Sequence, residues 1–338
     1  MRIRRVLRIL IIGGTSFVGR HITQAAIDAG HQVTLFHRGQ TGADLFPQAT
    51  HLNGDRDEDL SALRDGRWDA TVDVIAYLPR QVESLAATLN GRGGHYLLIS
   101  SVSVYRTPVA AGFTEDAPLA ELDDPATQQV TAQTYGGLKA ACERAALRLH
   151  GPVATTIIRP TYVVGPHDSS YRFTWWVERM ARGGTILAPG DPADPIQVID
   201  ARDLAAWTVA LAEKSAGGVF HAASPAPPFG FGDLLSTVAA EVAPAGTRLT
   251  WVDSDFLLTA GQDDESLPLW PGADSEHDIN AADPAAALAA GLTPRPLRET
   301  VADVRAHQTR SPDTPPSRIG LSAAREAELL DRWAAGPT

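Results

Sequence analysis

Tyr135 and Lys139 stand four residues apart in the segment Tyr135-Gly136-Gly137-Leu138-Lys139. On a helix, this spacing places both side chains on one face. The lysine charge would then favour the phenolate and lower the pKa of Tyr135 from its unperturbed value of about 10. A tyrosine with a lowered pKa is a good general acid/base. Alone, the pattern is common by chance, and its ordinary explanation is a pair of exposed helix residues.

A run of apolar residues that ends in serines precedes this pair. Residues 97–105 read Leu-Leu-Ile-Ser-Ser-Val-Ser-Val-Tyr, which predicts a buried strand with serines at its carboxyl end. In an open α/β sheet, ligands bind beyond the carboxyl ends of the strands. A serine there can therefore hydrogen-bond a reacting oxygen near Tyr135, and we assign Ser103 to the substrate side of the site.

A glycine-rich loop at residues 10–20 joins a predicted strand to a predicted helix. Its glycines permit a tight turn and a close approach to a pyrophosphate, and the helix start offers free N–H groups. The alternative is an ordinary glycine-rich turn, but this position between strand and helix is the one that a nucleotide site requires. The cofactor-binding residues predicted in the loop are Gly13, Thr15, Ser16, Phe17, Val18 and Gly19.

The end of the second predicted strand bears on the choice of nucleotide. A carboxylate there binds the ribose hydroxyls of NAD, whereas an arginine accommodates the 2′-phosphate of NADP. His37 stands in place of the acid, and Arg38 follows it. The sequence therefore favours NADP(H), with NAD(H) as the alternative if Arg38 is only a surface charge.

The glycine loop, the serine strand end and Tyr-x-x-x-Lys follow one another in a familiar order. In this order and spacing the chain resembles the extended short-chain dehydrogenases/reductases, the NAD-dependent epimerase/dehydratase family, over roughly residues 6 to 305. Ser16 replaces the usual middle glycine of the loop, and the resulting Gly-Gly-Thr-x-Phe-x-Gly is similar to an atypical branch. That branch includes bacterial proteins labelled epimerase or reductase and a chloroplast RNA-associated group.

The resemblance implies roles for particular residues. Ser101, Tyr135 and Lys139 would be the catalytic group, with Lys139 also touching the cofactor. Gly54-Asp55-Arg56-Asp57 resembles the family's Gly-Asp-x-x-Asp step, which would place Asp55 at the adenine amino group. Arg56 and Pro160 complete the cofactor-binding residues that we carry over.

The elements that must position these residues alternate along the first half of the chain. Strands are predicted at 6–12, 32–36, 70–76, 95–100 and 153–159, and helices at 19–29, 60–63, 80–89 and 135–150. This alternation predicts an α/β fold, a Rossmann doubly wound parallel sheet, with a smaller C-terminal α/β substrate lobe. We expect a cofactor domain at 1–165, a substrate lobe at 166–310 from which 196–212 returns to the core, and a linker with a C-terminal helix at 311–338.

Three departures from the family pattern narrow the reaction. The 4,6-dehydratases place Asp-Glu after the catalytic Ser/Thr, whereas this chain has Val102 and Ser103, so dehydration of that type is not expected. In nucleotide-sugar epimerases, Asn and Arg stand at the positions of Tyr162 and Ile196. An isoleucine cannot bind a diphosphate. These departures count against a nucleotide-sugar substrate, unless another arginine substitutes: Arg172, Arg179 or Arg182.

The aromatic segment 171–176 falls where the family's substrate pocket lies. Its side chains could stack on a ring or a sugar face, and its alternative is a helix face packed into the smaller lobe. The substrate-binding residues that we predict are Ser103, Tyr162, Tyr171, Arg172 and Trp175. His167 is expected to be structural, and no ligand-spaced histidines indicate a metal site.

Composition limits the remaining classes of function. With 29 basic and 40 acidic residues, the formal charge is 29 − 40 = −11, which disfavours a nucleic-acid partner. The basic run Arg2, Arg4, Arg5 and Arg8 is expected to be a solvated strand start. No apolar stretch is long enough for a membrane span. The single cysteine, Cys142, permits no disulfide within the chain and fits a cytoplasmic location.

Three hypotheses about function follow. The leading one is an oxidoreductase that moves a hydride between a nicotinamide and a carbinol or keto carbon of a small molecule, with Tyr135 as general acid/base. The second is an epimerase with tightly bound NAD. The third is a cofactor-sensing or RNA-associated protein without enzymatic activity on the same fold. A homodimer is left open.

Overall fold

The computed structural model describes residues 5–272 and 277–336. In these ranges eleven strands are present: β1 Arg8–Ile12, β2 Gln32–His37, β3 Thr50–Asn53, β4 Ala70–Asp73, β5 His95–Ile99, β6 Thr155–Pro160, β7 Tyr162–Val164, β8 Thr185–Pro189, β9 Val198–Asp200, β10 Gly218–Ala222 and β11 Arg248–Val252. Seven of them form one sheet in the order β10-β6-β5-β4-β1-β2-β3. All its neighbouring pairs are parallel. The carboxyl ends of these strands therefore share one edge.

The same ranges contain ten α-helices. They are α1 Phe17–Asp28, α2 Pro79–Leu89, α3 Ala132–His150, α4 Arg172–Arg182, α5 Ala201–Lys214, α6 Phe231–Val242, α7 Ser254–Thr259, α8 Ala285–Ala289, α9 Leu297–Arg310 and α10 Ala323–Ala334. None of the helices in the described ranges combines the length and hydropathy that crossing a bilayer requires.

Alternate side chains of β1 point to opposite faces of the sheet, and both faces are packed against helices. Ile9 and Ile11 pack on one side in a cluster that includes residues of α1 and α5. Leu10 and Ile12 pack on the other side in a cluster that includes residues of α2 and α3. Alternate side chains of a strand point to opposite faces, so an uninterrupted apolar strand must be buried on both. The predicted α/β fold with a doubly wound parallel sheet is confirmed.

A separate apolar cluster forms beside the large sheet. It contains residues of α4, α6, α9 and α10 and of the parallel pair β8 and β11, with Phe173, Trp176 and Phe231 fully buried. A second parallel pair, β7 and β9, leads from β6 to α5. These elements bring residues 162–172 to the carboxyl edge of the large sheet.

The structure differs from the sequence prediction at several elements. The first strand begins at Arg8 rather than residue 6, and the predicted helix at 60–63 is a single 3-10 turn, Ser61–Leu63. Strand β3 was not predicted, because it is short and polar. Strand β10 was not predicted either, although it lies in 166–310 and joins the large sheet beside β6.

The N-terminal arginines are only partly described. Arg2 and Arg4 lie outside the described residues. The Arg5 side chain is 75% exposed and its guanidinium pairs with Asp69 at 2.6 Å. The backbone N–H of Arg8 donates to the same carboxylate at 2.8 Å.

Candidate active site

Two adjoining cavities open along the carboxyl edge of the large sheet. The larger cavity, about 700 Å³, is lined by Ser101, Tyr135 and Lys139 among others. The smaller cavity, about 380 Å³, is lined by residues that follow β1, β2, β3 and β4. The two cavities share four lining residues: Gly13, Ser16, Ile75 and Tyr77. The geometry therefore suits one extended ligand, or two that meet.

Helix α3 carries Tyr135 and Lys139 to the larger cavity. Thr131 caps the helix, since its hydroxyl accepts the backbone N–H of Thr134. Lys139 is 2% exposed, and its ammonium donates to the carbonyl oxygens of Ala76 at 2.9 Å and Ile99 at 2.7 Å. Burial lowers the pKa of Lys139. The two carbonyls hold the ammonium in place against that desolvation.

Ser101 and Ser103 lie where β5 ends. Ser101 caps the 3-10 turn Val102–Val104, with its Oγ accepting the Ser103 backbone N–H and donating to Ser103 Oγ, both at 3.1 Å. A Cβ at Gly136 would lie 2.0 Å from the Ser103 carbonyl oxygen. The glycine after Tyr135 therefore permits the contact between α3 and the serine turn, a role that sequence reasoning missed.

A buried polar network stands behind this turn. The Ser100 hydroxyl donates to Glu143 Oε1 at 2.5 Å, and Arg159 donates to both carboxylate oxygens of Glu143, at 3.0 and 2.7 Å. Arg159 also donates to the hydroxyl of Tyr105. The network joins β5, α3 and β6. Its hydrogen-bonded pairs are separated by 16 to 54 residues and carry no local signal, so the sequence did not reveal it.

The glycine loop has the shape of an anion cradle. Gly13 has φ +86°, and a Cβ at Gly19 would lie 1.9 Å from the Gly13 carbonyl oxygen. Helix α1 has no acidic residue in its first turn, and the Ser16 side chain does not cap it. Its first N–H groups, beginning at Phe17, are thus left for a ligand with the positive end of the helix dipole behind them.

The other residues predicted in this loop are divided between the cavities and the interior. Ser16, Phe17 and Val18 line the larger cavity, and buried Thr15 lines the smaller one. The loop fits a pyrophosphate, because tight glycine contacts and uncapped helix N–H groups coincide.

His37 is buried and held by other groups. Its Nδ1 accepts the Gly39 backbone N–H at 3.0 Å, and its Nε2 faces His51 Nδ1 at 2.8 Å. His51 Nε2 in turn faces the Phe46 carbonyl oxygen at 3.1 Å. Burial, and next the charge of His51, lower the pKa of His37, so the ring is neutral at pH 7. Arg38 is exposed on the smaller cavity.

Asp55 and Arg56 also line the smaller cavity, but they differ in their hydrogen-bond partners. Asp55 Oδ1 accepts the backbone N–H of Asp57 at 2.9 Å. Arg56 is buried, with a bidentate pair to Asp73 at 2.6 and 3.0 Å, and the Tyr96 hydroxyl donates to the same carboxylate. The Arg56 guanidinium is therefore committed to the core below the cavity.

The predicted substrate residues separate into two groups. Ser103, Tyr162 and Arg172 line the larger cavity, as does the predicted cofactor residue Pro160. The Arg172 guanidinium lies 5.0 Å from the Tyr162 ring centroid, and its Nε donates to Ser170 Oγ at 3.2 Å.

Tyr171 and Trp175 are not brought to that cavity. Both are buried in the apolar cluster of the smaller lobe, where a Cβ at Gly320 would lie 1.7 Å from Trp175 Nε1. These two therefore follow the alternative interpretation, a helix face packed into the lobe. Arg179 is also unavailable, because Glu326 pairs with it at 2.7 Å. Ile196 is fully buried.

Asp168 is a cavity residue that the sequence did not single out for a role. It is 2% exposed, and its Oδ1 accepts the backbone N–H and the hydroxyl of Ser170 at 2.9 and 2.7 Å. Its Oδ2 has no hydrogen-bond partner within the described residues. Burial raises the pKa of Asp168. Cys142, by contrast, lies in the core, and burial raises the pKa of its thiol to about 12, so it is an inert packing residue.

The chain is similar in sequence to several known proteins. Residues 9–223 match the model of the NAD dependent epimerase/dehydratase family. Chloroplast stem-loop binding protein of 41 kDa b from Arabidopsis thaliana is 30% identical over 215 residues, 59% of this chain and 53% of that protein. A UDP-glucose 4-epimerase from Lactobacillus helveticus is 27% identical over 135 residues, 33% of this chain and 41% of the epimerase. The chain thus covers about half or less of these relatives.

A solved structure shows the same fold over nearly the whole chain. UDP-glucuronic acid 4-epimerase from Bacillus cereus, solved in complex with NAD, superposes with a TM-score of 0.65 at 16% identity. The superposition covers 90% of this chain and 100% of that one.

Proposed function

The chain belongs to the NAD dependent epimerase/dehydratase family, as an NAD-dependent enzyme of the short-chain dehydrogenase/reductase type, and from that membership we propose a specific reaction. The enzyme moves a hydride between a nicotinamide and a carbinol or keto carbon of a small molecule, with Tyr135 as the general acid/base. The observation that carries this proposal is the convergence of Ser101, Tyr135 and Lys139 on one cavity that adjoins the glycine loop.

The three side chains divide the work at the reacting oxygen. In the direction of reduction, Tyr135 donates its phenolic proton to the carbonyl oxygen as that oxygen becomes a hydroxyl, and it takes the proton back in oxidation. The Ser101 hydroxyl would turn away from Ser103 Oγ and donate its proton in a hydrogen bond to the same oxygen. An ammonium has three donors, and two of those on Lys139 go to Ala76 and Ile99. The third is left to stabilise the phenolate or a ribose hydroxyl.

The cofactor would lie across both cavities. A bound nicotinamide supplies or accepts the hydride. Gly13, Ser16 and the first N–H groups of α1 would hold its pyrophosphate, and Asp55 its adenine. We infer a preference for NADP(H) over NAD(H), because the end of β2 offers no carboxylate to the ribose. His37 is neutral and both of its ring nitrogens are hydrogen-bonded, whereas Arg38 is exposed on the cavity.

The substrate would enter the larger cavity on the side of Ser103, Tyr162 and Arg172. We propose that it carries no essential nucleotide diphosphate, and that it is a cyclic or aromatic secondary alcohol or ketone. Tyr162, with Arg172 stacked on it, provides the face on which a ring could lie. This assignment rests on residues 162–172 and not on Tyr171 or Trp175.

The division of the chain follows from these roles. Residues 1–165 would bind the cofactor and 166–310 the substrate, with 311–338 as linker and C-terminal helix. Because β10 belongs to the large sheet, and β9 and α5 share an apolar cluster with its strands, the two functions are built on one continuous core.

Two measurements test the proposal. The first identifies the nucleotide that co-purifies with the protein and its oxidation state. The second follows nicotinamide absorbance while NADPH or NADH is added with a panel of cyclic and aromatic ketones. Net consumption of added cofactor supports the oxidoreductase. Stoichiometric bound NAD with no net consumption, together with interconversion of sugar epimers, would support the epimerase instead.

A further inference from the structure

His307 and Asp313 meet His167, a residue distant from both in the sequence and adjacent to Asp168 of the larger cavity. His167 lies in the loop between β7 and α4, His307 in the last turn of α9, and Asp313 in the segment after α9. One potential ligand atom from each lies within 4.8 Å of the other two. The sequence predicted no metal site, because these residues show no ligand spacing along the chain.

The carboxylate of this cluster is already oriented toward His307. Asp313 Oδ2 lies 3.0 Å from His307 Nε2 and accepts a second hydrogen bond from Gln308 Nε2, also at 3.0 Å. The Asp313 backbone N–H donates back to Gln308 Oε1 at 3.1 Å. The Gln308 carboxamide therefore orients the Asp313 carboxylate before an ion binds. Metal-binding carboxylates are commonly oriented by hydrogen bonds of this kind.

His167 is available as the third group. Its ring centroid lies 4.2 Å from that of His307. Within the described residues, its ring nitrogens have no hydrogen-bond partner. The ring centroid of the neighbouring His21 lies 6.0 Å from that of His167. His21 Nε2 is hydrogen-bonded to the Pro166 carbonyl oxygen at 2.9 Å. His167 therefore presents free nitrogens to the cluster, whereas His21 does not.

We propose that His167, His307 and Asp313 bind one divalent transition-metal ion, with zinc as the expected ion and water at the remaining position. Two imidazoles and one carboxylate suit zinc, whereas magnesium and calcium prefer oxygen ligands throughout. Ligand atoms around zinc stand about 3.4 Å apart in a tetrahedron with bonds of about 2.1 Å, so the side chains need only small movements from their present separation. The nearby charge of Arg20 opposes the ion, and that of Asp313 favours it.

The ion would join two segments that border the substrate cavity. His167 precedes Asp168, which lines that cavity. The segment after Asp313 continues to residues 316–319, which line a neighbouring cavity together with Ser170 and Arg172. A bound metal would therefore fasten the segment after α9 to the substrate loop. It would act on substrate affinity through position and not on the hydride step.

Zinc titration of the tag-free, chelator-treated full chain tests this site directly. Calorimetry should show one zinc per chain with a dissociation constant in the micromolar range or below. Zinc should raise the melting temperature of the protein. Cobalt in place of zinc should give the strong visible absorption bands that are typical of tetrahedral Co²⁺. His167→Gln, His307→Gln and Asp313→Asn should each weaken zinc binding by at least about tenfold. Circular dichroism confirms that each variant is folded.

His21→Gln is the matched control, because it removes a neighbouring histidine that the geometry leaves outside the cluster. It should bind zinc as the parent does. Absence of saturable zinc binding in the parent, or equal binding by the parent, His307→Gln and Asp313→Asn, would overturn the proposal and leave the cluster as a packed ion pair.

Discussion

The ammonium of Lys139 donates a 2.7 Å hydrogen bond to the carbonyl oxygen of Ile99, the last residue of β5. This bond joins the helix that carries Tyr135 to the strand that leads into Ser101. Lys139 thus links the element that carries Tyr135 to the element that carries Ser101, and its charge would also lower the pKa of Tyr135. A lysine in this place has a structural and an electrostatic task at once, so its replacement would confound both, and the tyrosine is the cleaner probe.

Replacing Tyr135 by phenylalanine should leave cofactor binding intact and reduce turnover by about 10² or more, the usual scale of a general acid/base. Only the phenolic oxygen and its proton are removed, while the ring that lies 6.4 Å from the Tyr77 ring remains. Fluorescence titration with NADPH and steady-state kinetics check the two halves of this prediction. Near-normal turnover in Tyr135→Phe would rule out the proposed mechanism.

The two glycines after Tyr135 should respond differently to alanine. A Cβ at Gly136 meets the backbone carbonyl of Ser103 at 2.0 Å, whereas one at Gly137 first meets the flexible Leu122 side chain at 2.7 Å. Gly136→Ala should therefore push α3 away from the serine turn, and a displacement near 1 Å can cost roughly 10²-fold in rate.

Gly137→Ala is the matched control for that change. Its clash is with a side chain that can move, and alanine is the better helix former by about 1 kcal/mol. We expect it to retain most of the turnover. Equal kinetic losses in the two variants would show that the Gly136–Ser103 contact has no special role.

Arg38→Ala should weaken NADPH binding more than NADH binding. A guanidinium can bind a phosphate with two parallel hydrogen bonds, and no carboxylate at the end of β2 competes for the ribose. Titrations of both cofactors with the parent and the variant provide the comparison. Equal losses for the two cofactors, or tighter NADH binding by the parent, would count against the NADP(H) assignment.

The sequence predicted the parts of the fold that depend on local patterns. The uninterrupted apolar run Ile9–Ile12 predicts a strand that is buried on both faces, and it forms β1. The alternation of strands and helices along the first half of the chain and the Tyr-x-x-x-Lys helix were also predicted from local patterns. Strand β3 was not, because its stability comes from pairing with β2 rather than from its own apolar period.

The parts that sequence reasoning missed depend on contacts between distant segments. Glu143 and Arg159 carry no signal that they form a buried pair, and nothing near His167 points to His307. The aromatic segment shows the opposite error. Trp175 was expected in the substrate pocket, but it is buried in the apolar cluster of the smaller lobe. Side-chain type alone could not decide between these two surroundings.

The stability of the chelator-treated protein should fall as the pH decreases from about 6.5 toward 4. Burial, with the charge of Arg20 as a smaller cause, lowers the pKa of His167 to about 4 from the 6.5 of the unfolded chain. Between these values the unfolded state binds more protons than the folded state, so acid favours unfolding. The stability associated with neutral His167 is complete above pH 6.5 and is lost as the pH falls through 4.

Urea unfolding at pH 7.5 and pH 5.0 measures this loss in the parent and in His167→Gln. Glutamine does not titrate, so the variant should lose less stability over the same interval. The remaining loss belongs to other histidines whose pKa values burial also lowers, among them buried His95 and half-buried His150. An identical loss in the two proteins would show that His167 does not contribute.

The substrate lobe should not bind a nucleotide diphosphate. Ile196, at the position where related epimerases hold the diphosphate, is fully buried in the apolar cluster, and Arg179 is neutralised by Glu326. A buried phosphate without a cationic partner costs several kcal/mol, so the pocket would not retain one without a dedicated arginine.

Arg172 is the cavity residue that could bind such a phosphate, and exposed Arg182 in the same helix is its control. Calorimetry with UDP, dTDP and GDP should show no micromolar binding to the protein saturated with NADPH. Micromolar binding of any of them that is abolished by Arg172→Ala and retained by Arg182→Ala would overturn this prediction and favour the epimerase.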